Sequence, residues 1–101
     1  MVLILASPTT QAETRDESFA KCDDALAAMD HPQIAIEACT TLIQSGQETA
    51  ASQSYIYFRR GSAYDTANLK EQAIADYRAA LKLNPSSSGA LVALTLDGAA
   101  P

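Results

Sequence analysis

Tryptophan is absent, histidine occurs once and cysteine twice among the 101 residues. Glycine and proline number four each, too few to punctuate a fold of many short strands, so helices are favoured. Lys and Arg together number 7 against 12 Asp and Glu, a net charge of −5. That balance argues against a nucleic-acid partner, because phosphates are held by clustered cations. No apolar run approaches the roughly 20 residues that span a bilayer, so the mature chain is not expected to cross a membrane. Motifs for chemistry are missing as well: no Gly-rich phosphate loop, nucleophile elbow, HExxH or CxxC appears. There is accordingly no catalytic residue, metal ligand or cofactor site to nominate, and the chain reads as a non-enzyme. The carboxylates Asp16, Glu17, Asp23 and Asp24 read as a solvated helix face.

What is there is 48% apolar and 19% charged, the balance of a globular chain. Its length suits one domain with a small core. Met1 to Ala12 is uncharged, with an apolar block from Val2 to Ala6, and it ends in Thr10-Gln11-Ala12. Glu13, Arg15, Asp16 and Glu17 follow at once. This looks like the end of a secretory signal peptide, lacking the basic start and the usual ~7–15 apolar residues. A start assigned too far downstream would explain the deficit. The expectation is a periplasmic or secreted protein; the alternative is a cytoplasmic one, if Met1 is the true start and no cleavage occurs.

Residues 16–45 read as a helical hairpin. Phe19, Cys22, Leu26 and Met29 share one helical face. Asp30 is a candidate N-cap, Gln33 would complete a capping box, and Pro32 suits a first turn. Ile36, Cys39, Leu42 and Ile43 form the second face, and Gly46 closes it. Cys22 and Cys39 are too few and too far apart for zinc. Each lies on the apolar face of one antiparallel helix, so a bridge between them is geometrically reasonable; the alternative is two buried thiols. In an exported protein the bridge is preferred, and it would contribute about 3 kcal/mol in the chain-entropy picture.

The best-patterned stretch is residues 52–83, after a polar connector. Tyr57, Gly61 and Tyr64 fall on one face, and a mid-helix glycine implies close approach of a second helix. Asn68 and Glu71 suggest another capping box. Ile74, Tyr77, Leu81, Ala73 and Ala80 form the returning face, and Asn84-Pro85 ends it. Ser86 to Ser88 offers a cap for a short apolar helix over 89–96, and 97–101 is expected to fray.

Tyr57, Gly61, Tyr64, Ala73, Tyr77, Ala80 and Pro85 resemble the signature of the tetratricopeptide repeat, a helical hairpin of about 34 residues. Arg60 departs from it, standing where that family usually has Leu. The resemblance implies an all-α fold: antiparallel hairpins stacked as a short right-handed solenoid of about five helices, of an exported, bacterial type. The divisions would be a leader over 1–12, a degenerate repeat over 13–50, a repeat over 54–87 and a capping helix with tail over 88–101. Shifted back by 38 residues, from Arg60 to Cys22, the same frame fits 16–45. Cys22 and Cys39 then occupy the slots of Arg60 and Tyr77, which face each other in this family, so the resemblance supports the bridge separately. Arg60 and Asp76 stand where an ion pair can form, and solvated they would contribute only about 0–1 kcal/mol.

The resemblance also implies a protein or peptide partner held on a concave face. Its slots here are Tyr55, Phe58, Ser62, Asp65 and Thr66, with Glu17, Ala20, Asp24, Ala27 and Ala28 in the degenerate copy. Tyr55 and Phe58 are the strongest contacts on offer, unless the C-terminal helix covers them. So short an array limits the partner to a brief segment unless the chain dimerises. The competing readings are a truncated or structural repeat remnant without binding of its own, and a small enzyme, for which no titratable site is visible.

Overall fold

The computed structural model describes residues 13–101; the expected leader, Met1 to Ala12, lies outside them. Six helices and no strand occur among the described residues: α1 (Arg15–Asp23), α2 (Ala25–Asp30), α3 (Pro32–Ser45), α4 (Ala50–Thr66), α5 (Lys70–Leu83) and α6 (Ser88–Leu96). α1 and α2 pack on α3, α4 pairs with α5, and α6 lies against α5 and α4. The fold is the all-α stack of helical hairpins anticipated from the sequence. It has one helix more than expected, because the first helix is broken at Asp24.

That break has a local cause. Asp24 leaves the helical region (φ −81°, ψ 91°), and its carboxylate accepts a hydrogen bond from the Ala27 amide at 2.9 Å. A short acidic side chain competes in this way with helical hydrogen bonding and restarts the helix as an N-cap. The interruption changes which residues of α2 face the core. Leu26 and Met29, expected on the buried face with Phe19 and Cys22, are 78% and 68% exposed, and Ala28 is buried instead. Ala28 packs with Ala35, Ile36 and Ala63, which also removes it from the expected concave face.

Two expected capping boxes are replaced by other devices. His31, not Asp30, stands at the N-cap of α3 without a side-chain bond, and Pro32 opens the helix. Asn68 takes a left-handed conformation (φ 65°). Its amide bonds to the Asp65 carbonyl at 2.9 Å and the Leu69 amide to the Tyr64 carbonyl at 2.8 Å, the paired bonds that end a helix. Asn68 therefore closes α4 rather than opening α5. A reciprocal box does form at Thr14 and Glu17, starting α1. Thr49 caps α4 and Ser87 caps α6.

α4 is packed on both sides. Its Ile56 enters a cluster with Cys22, Ala38, Cys39 and Leu42, and its Ala63 joins the Ala28 cluster. Toward α5 it presents Gly61, where an added Cβ would stand 2.7 Å from the Tyr77 ring and 3.2 Å from the Ala73 carbonyl oxygen. Close approach is thus the reason for glycine there. Tyr77, Ala73 and Ala80 of α5 are in turn covered by Ala90 and Leu94 of α6. Cys22 and Cys39 are joined, with an S–S distance of 2.06 Å and Cα atoms 4.9 Å apart, fastening α1 to α3.

Arg60 and Asp76 are not solvated charges. Arg60 Nε and Nη2 donate to the two carboxylate oxygens of Asp76 at 2.7 and 2.8 Å. Only 17% of the Arg60 side chain and 5% of the Asp76 side chain remain exposed. The guanidinium lies between the Tyr57 and Tyr64 rings, 5.5 Å from each centroid, and reaches Thr40 of α3 at 3.1 Å. One side chain therefore ties α3, α4 and α5 together.

Candidate functional site

The outward face of α4 carries Tyr55, Phe58, Ser62 and Asp65 at helical spacing, and the structure divides this set. Phe58, Ser62 and Asp65 line a groove of about 720 Å³ between α4 and α6. Tyr55 lies outside it, 41% exposed, over the junction of α1 and α4. Its ring stacks on Phe19 at 6.2 Å, and its hydroxyl donates to the Asp23 carboxylate. Burial, and then this carboxylate, raise the Tyr55 hydroxyl above its usual pKa. The two halves of the set remain joined through rings: Tyr55 lies 6.4 Å from Phe58, and Phe58 lies 6.0 Å from Tyr77. A row of aromatic side chains therefore runs from α1 across α4 to α5.

The far wall of the groove belongs to α6. Gly89 meets the Phe58 ring, where a Cβ would stand 3.1 Å from two ring carbons. This lets α6 cover one side of Phe58 while the other stays open. Val92 and Leu96 line the same wall and are 58% and 79% exposed. The sequence reading did not nominate these residues. The signal was available, since a step of about 34 residues from Tyr55, Phe58 and Ser62 lands on Gly89, Val92 and Leu96.

One end of the groove is acidic. The Tyr77 hydroxyl donates to Asp65 at 2.8 Å; burial first, then the Asp65 contact, push that hydroxyl well above the usual tyrosine range. Asp97 follows α6 as its C-cap and lines the same groove, with Lys70 at the rim. Burial and the neighbouring Asp65 carboxylate raise the Asp97 carboxyl above its ordinary value. Its Oδ2 is buried and has no hydrogen-bond partner among the described residues. The groove thus combines the Phe58 ring, an open aliphatic wall and two neighbouring carboxyl groups.

In the degenerate copy the expected concave slots are put to other uses. Glu17 and Asp24 are spent on capping α1 and α2, Ala20 is exposed, and Ala28 is in the core. Among the described residues no cluster of His, Cys, Asp and Glu has the geometry to hold a metal ion. No described helix is long and apolar enough to cross a membrane.

The family model of the tetratricopeptide repeat matches residues 54–87, the span from the buried Ser54 through α4 and α5 to the cap of α6. No curated protein and no solved structure matches the chain. Within the matched span Gly61, Ala73, Tyr77 and Ala80 are all buried, and Gly61 and Tyr77 are in contact. The match and the packing agree: residues 54–87 are similar to a tetratricopeptide repeat and fold as one helical hairpin with the close helix approach that Gly61 permits.

Proposed function

We propose that the protein is a small interaction module that receives a short segment of another protein in the groove between α4 and α6. The observation that carries this reading is the pairing of Phe58 on one wall with the exposed Val92 and Leu96 on the other. Apolar side chains left open in a concave site are where partner contacts concentrate. The reading includes export to the periplasm or another oxidising compartment. It is supported there by the character of Met1 to Ala12 and by the bond between Cys22 and Cys39.

Random peptides displayed on phage and selected against the folded protein test the binding. Enriched peptides should lose affinity about tenfold on Val92→Ser with Leu96→Ser, two exposed positions whose change removes roughly 1–2 kcal/mol of contact. No enrichment, or peptides indifferent to these changes, would refute the groove. Intact mass of protein taken from its native cells, alkylated before and after reduction, tests the compartment. A mass showing two alkylated cysteines without reduction would end the export reading.

A further inference from the structure

The groove has an unmet electrostatic demand at its acidic end. Asp65 is held in place by the Tyr77 hydroxyl, which uses its Oδ2. Asp97 stands at the C-terminus of α6, where the helix dipole disfavours a carboxylate. Its buried Oδ2 has no partner among the described residues. The two carboxyl groups line the same groove, and Asp97 has Asp65 as a neighbour. Within the lining Lys70 is the one cationic residue. From Phe58, Val92 and Leu96 the groove runs continuously to this pair.

Resting on the groove reading above, we infer that the occupant is a partner segment carrying a lysine or arginine next to an aliphatic residue. The aliphatic side chain lies between Phe58, Val92 and Leu96, and the cation enters between Asp65 and Asp97. A guanidinium or ammonium there supplies donors to the unpaired Asp97 oxygen and to the Asp65 oxygen that Tyr77 leaves free. It also offsets the like charge of Asp65, which adds to burial in raising the Asp97 carboxyl above its usual value. The cation is selected because a carboxylate in its place has no donor to offer, and an amide donates without neutralising the charge of the pair.

Two capped peptides, Ala-Leu-Lys-Leu-Ala and the same sequence with glutamine for lysine, decide the matter in NMR titrations of the isotope-labelled protein. The lysine peptide should shift the amides of Phe58, Ser62, Val92 and Leu96 and bind about fivefold more tightly than the glutamine peptide, as one partly exposed charge pair predicts. Asp97→Asn should abolish that preference, and an unchanged or higher melting temperature would show that the fold is intact. Equal binding of the two peptides to the wild type would overturn the cation assignment and leave the groove standing. No groove shifts with either peptide would overturn both. Concentration-dependent broadening of the same amides without peptide would make a second copy of the chain the occupant, and would overturn the assignment too.

Discussion

Arg60 shows how one residue can change meaning between sequence and structure. In the repeat frame it is a departure, a charge where an aliphatic side chain is usual, and its pairing with Asp76 reads as weak when both are taken to be solvated. In the structure Asp76 is almost fully buried and both of its oxygens are taken by Arg60. The hydrogen bonds to Asp76 come first among the causes that raise the Arg60 pKa, so the guanidinium stays charged. Removing one member of such a pair strands the other. Arg60→Leu should therefore destabilise by about 3 kcal/mol in urea unfolding, although it restores the family's usual residue. Asp76→Ala added to Arg60→Leu should recover most of that loss, because no buried charge is left over. A single Arg60→Leu variant as stable as the parent would return the pair to the status of surface ornament.

At the scale of elements, α1 is held to the rest of the chain by several independent ties, and two of them can be cut separately. The first is the Cys22–Cys39 bond. Replacing both cysteines with Ala should lower stability by about 2–3 kcal/mol and loosen α1 before α4 and α5, visible as faster amide exchange in 15–23. Uniform loss of protection through α5 would show instead that the bond is not a local fastening. The second tie is Arg15, which grips Glu48 at 2.8 Å through two nitrogens while Ser52 donates to the same carboxylate at 2.7 Å. Arg15 first, then Ser52, hold the Glu48 carboxyl down at about 2. A depressed carboxylate contributes stability that is present above its unfolded value and lost as pH falls through the folded one. Acid should thus weaken the α1 clasp between the ordinary glutamate range, about 4.3, and a pH of about 2. An NMR titration of Glu48 reads the midpoint directly, and Arg15→Gln should move it back toward the ordinary range. A midpoint near the ordinary value in the parent would dissolve the clasp.

The elements also show where the sequence was legible. Gly61 could be read because a mid-helix glycine needs a neighbour, and the neighbour is the Tyr77 ring. Cys22 and Cys39 were placed correctly because their slots face each other in the repeat frame. The break at Asp24 was not legible: Leu26 and Met29 continue the helical period of Phe19 and Cys22, and periodicity carries no sign that the backbone will restart. Asn68 was read as an opening cap because Glu71 lies three residues on. Only the backbone shows that its φ is positive and that it ends the helix before. Of the groove, the α4 half could be read from the repeat, whereas the same step puts Asp97 on the slot of Ala63, which is buried, so its place in the groove emerges only from the packing of α6 on α4.

For the whole molecule, the decisive question is what α6 does for the stack. A solenoid buries each repeat against the next, so a hairpin without a neighbour leaves an apolar face in water. Here α6 covers Ala73, Tyr77 and Ala80 with Ala90 and Leu94, which are fully buried. The segment beyond it is tied back as well: the Ala99 amide bonds to the Leu94 carbonyl at 2.9 Å, and Arg78 Nε donates to the Ala100 carbonyl at 3.1 Å. The same helix forms one wall of the groove, so cap and groove wall are one element. Deleting 88–101 should therefore do two things together. Exposing the surface under Leu94 alone forfeits about 2–3 kcal/mol, and Phe58 and Tyr77 become open to solvent, so the shortened chain should unfold at lower urea and self-associate on size exclusion. Leu94→Ala separates the two roles, since it opens a cavity beneath α6, costing about 2–4 kcal/mol, while Val92, Leu96 and Asp97 remain on the groove wall. That variant should lose stability and keep peptide binding at concentrations and temperatures where it is folded. Were the deletion as stable and as monomeric as the parent, α6 would be an appendage to the repeat, and the groove it lines would have no fixed second wall.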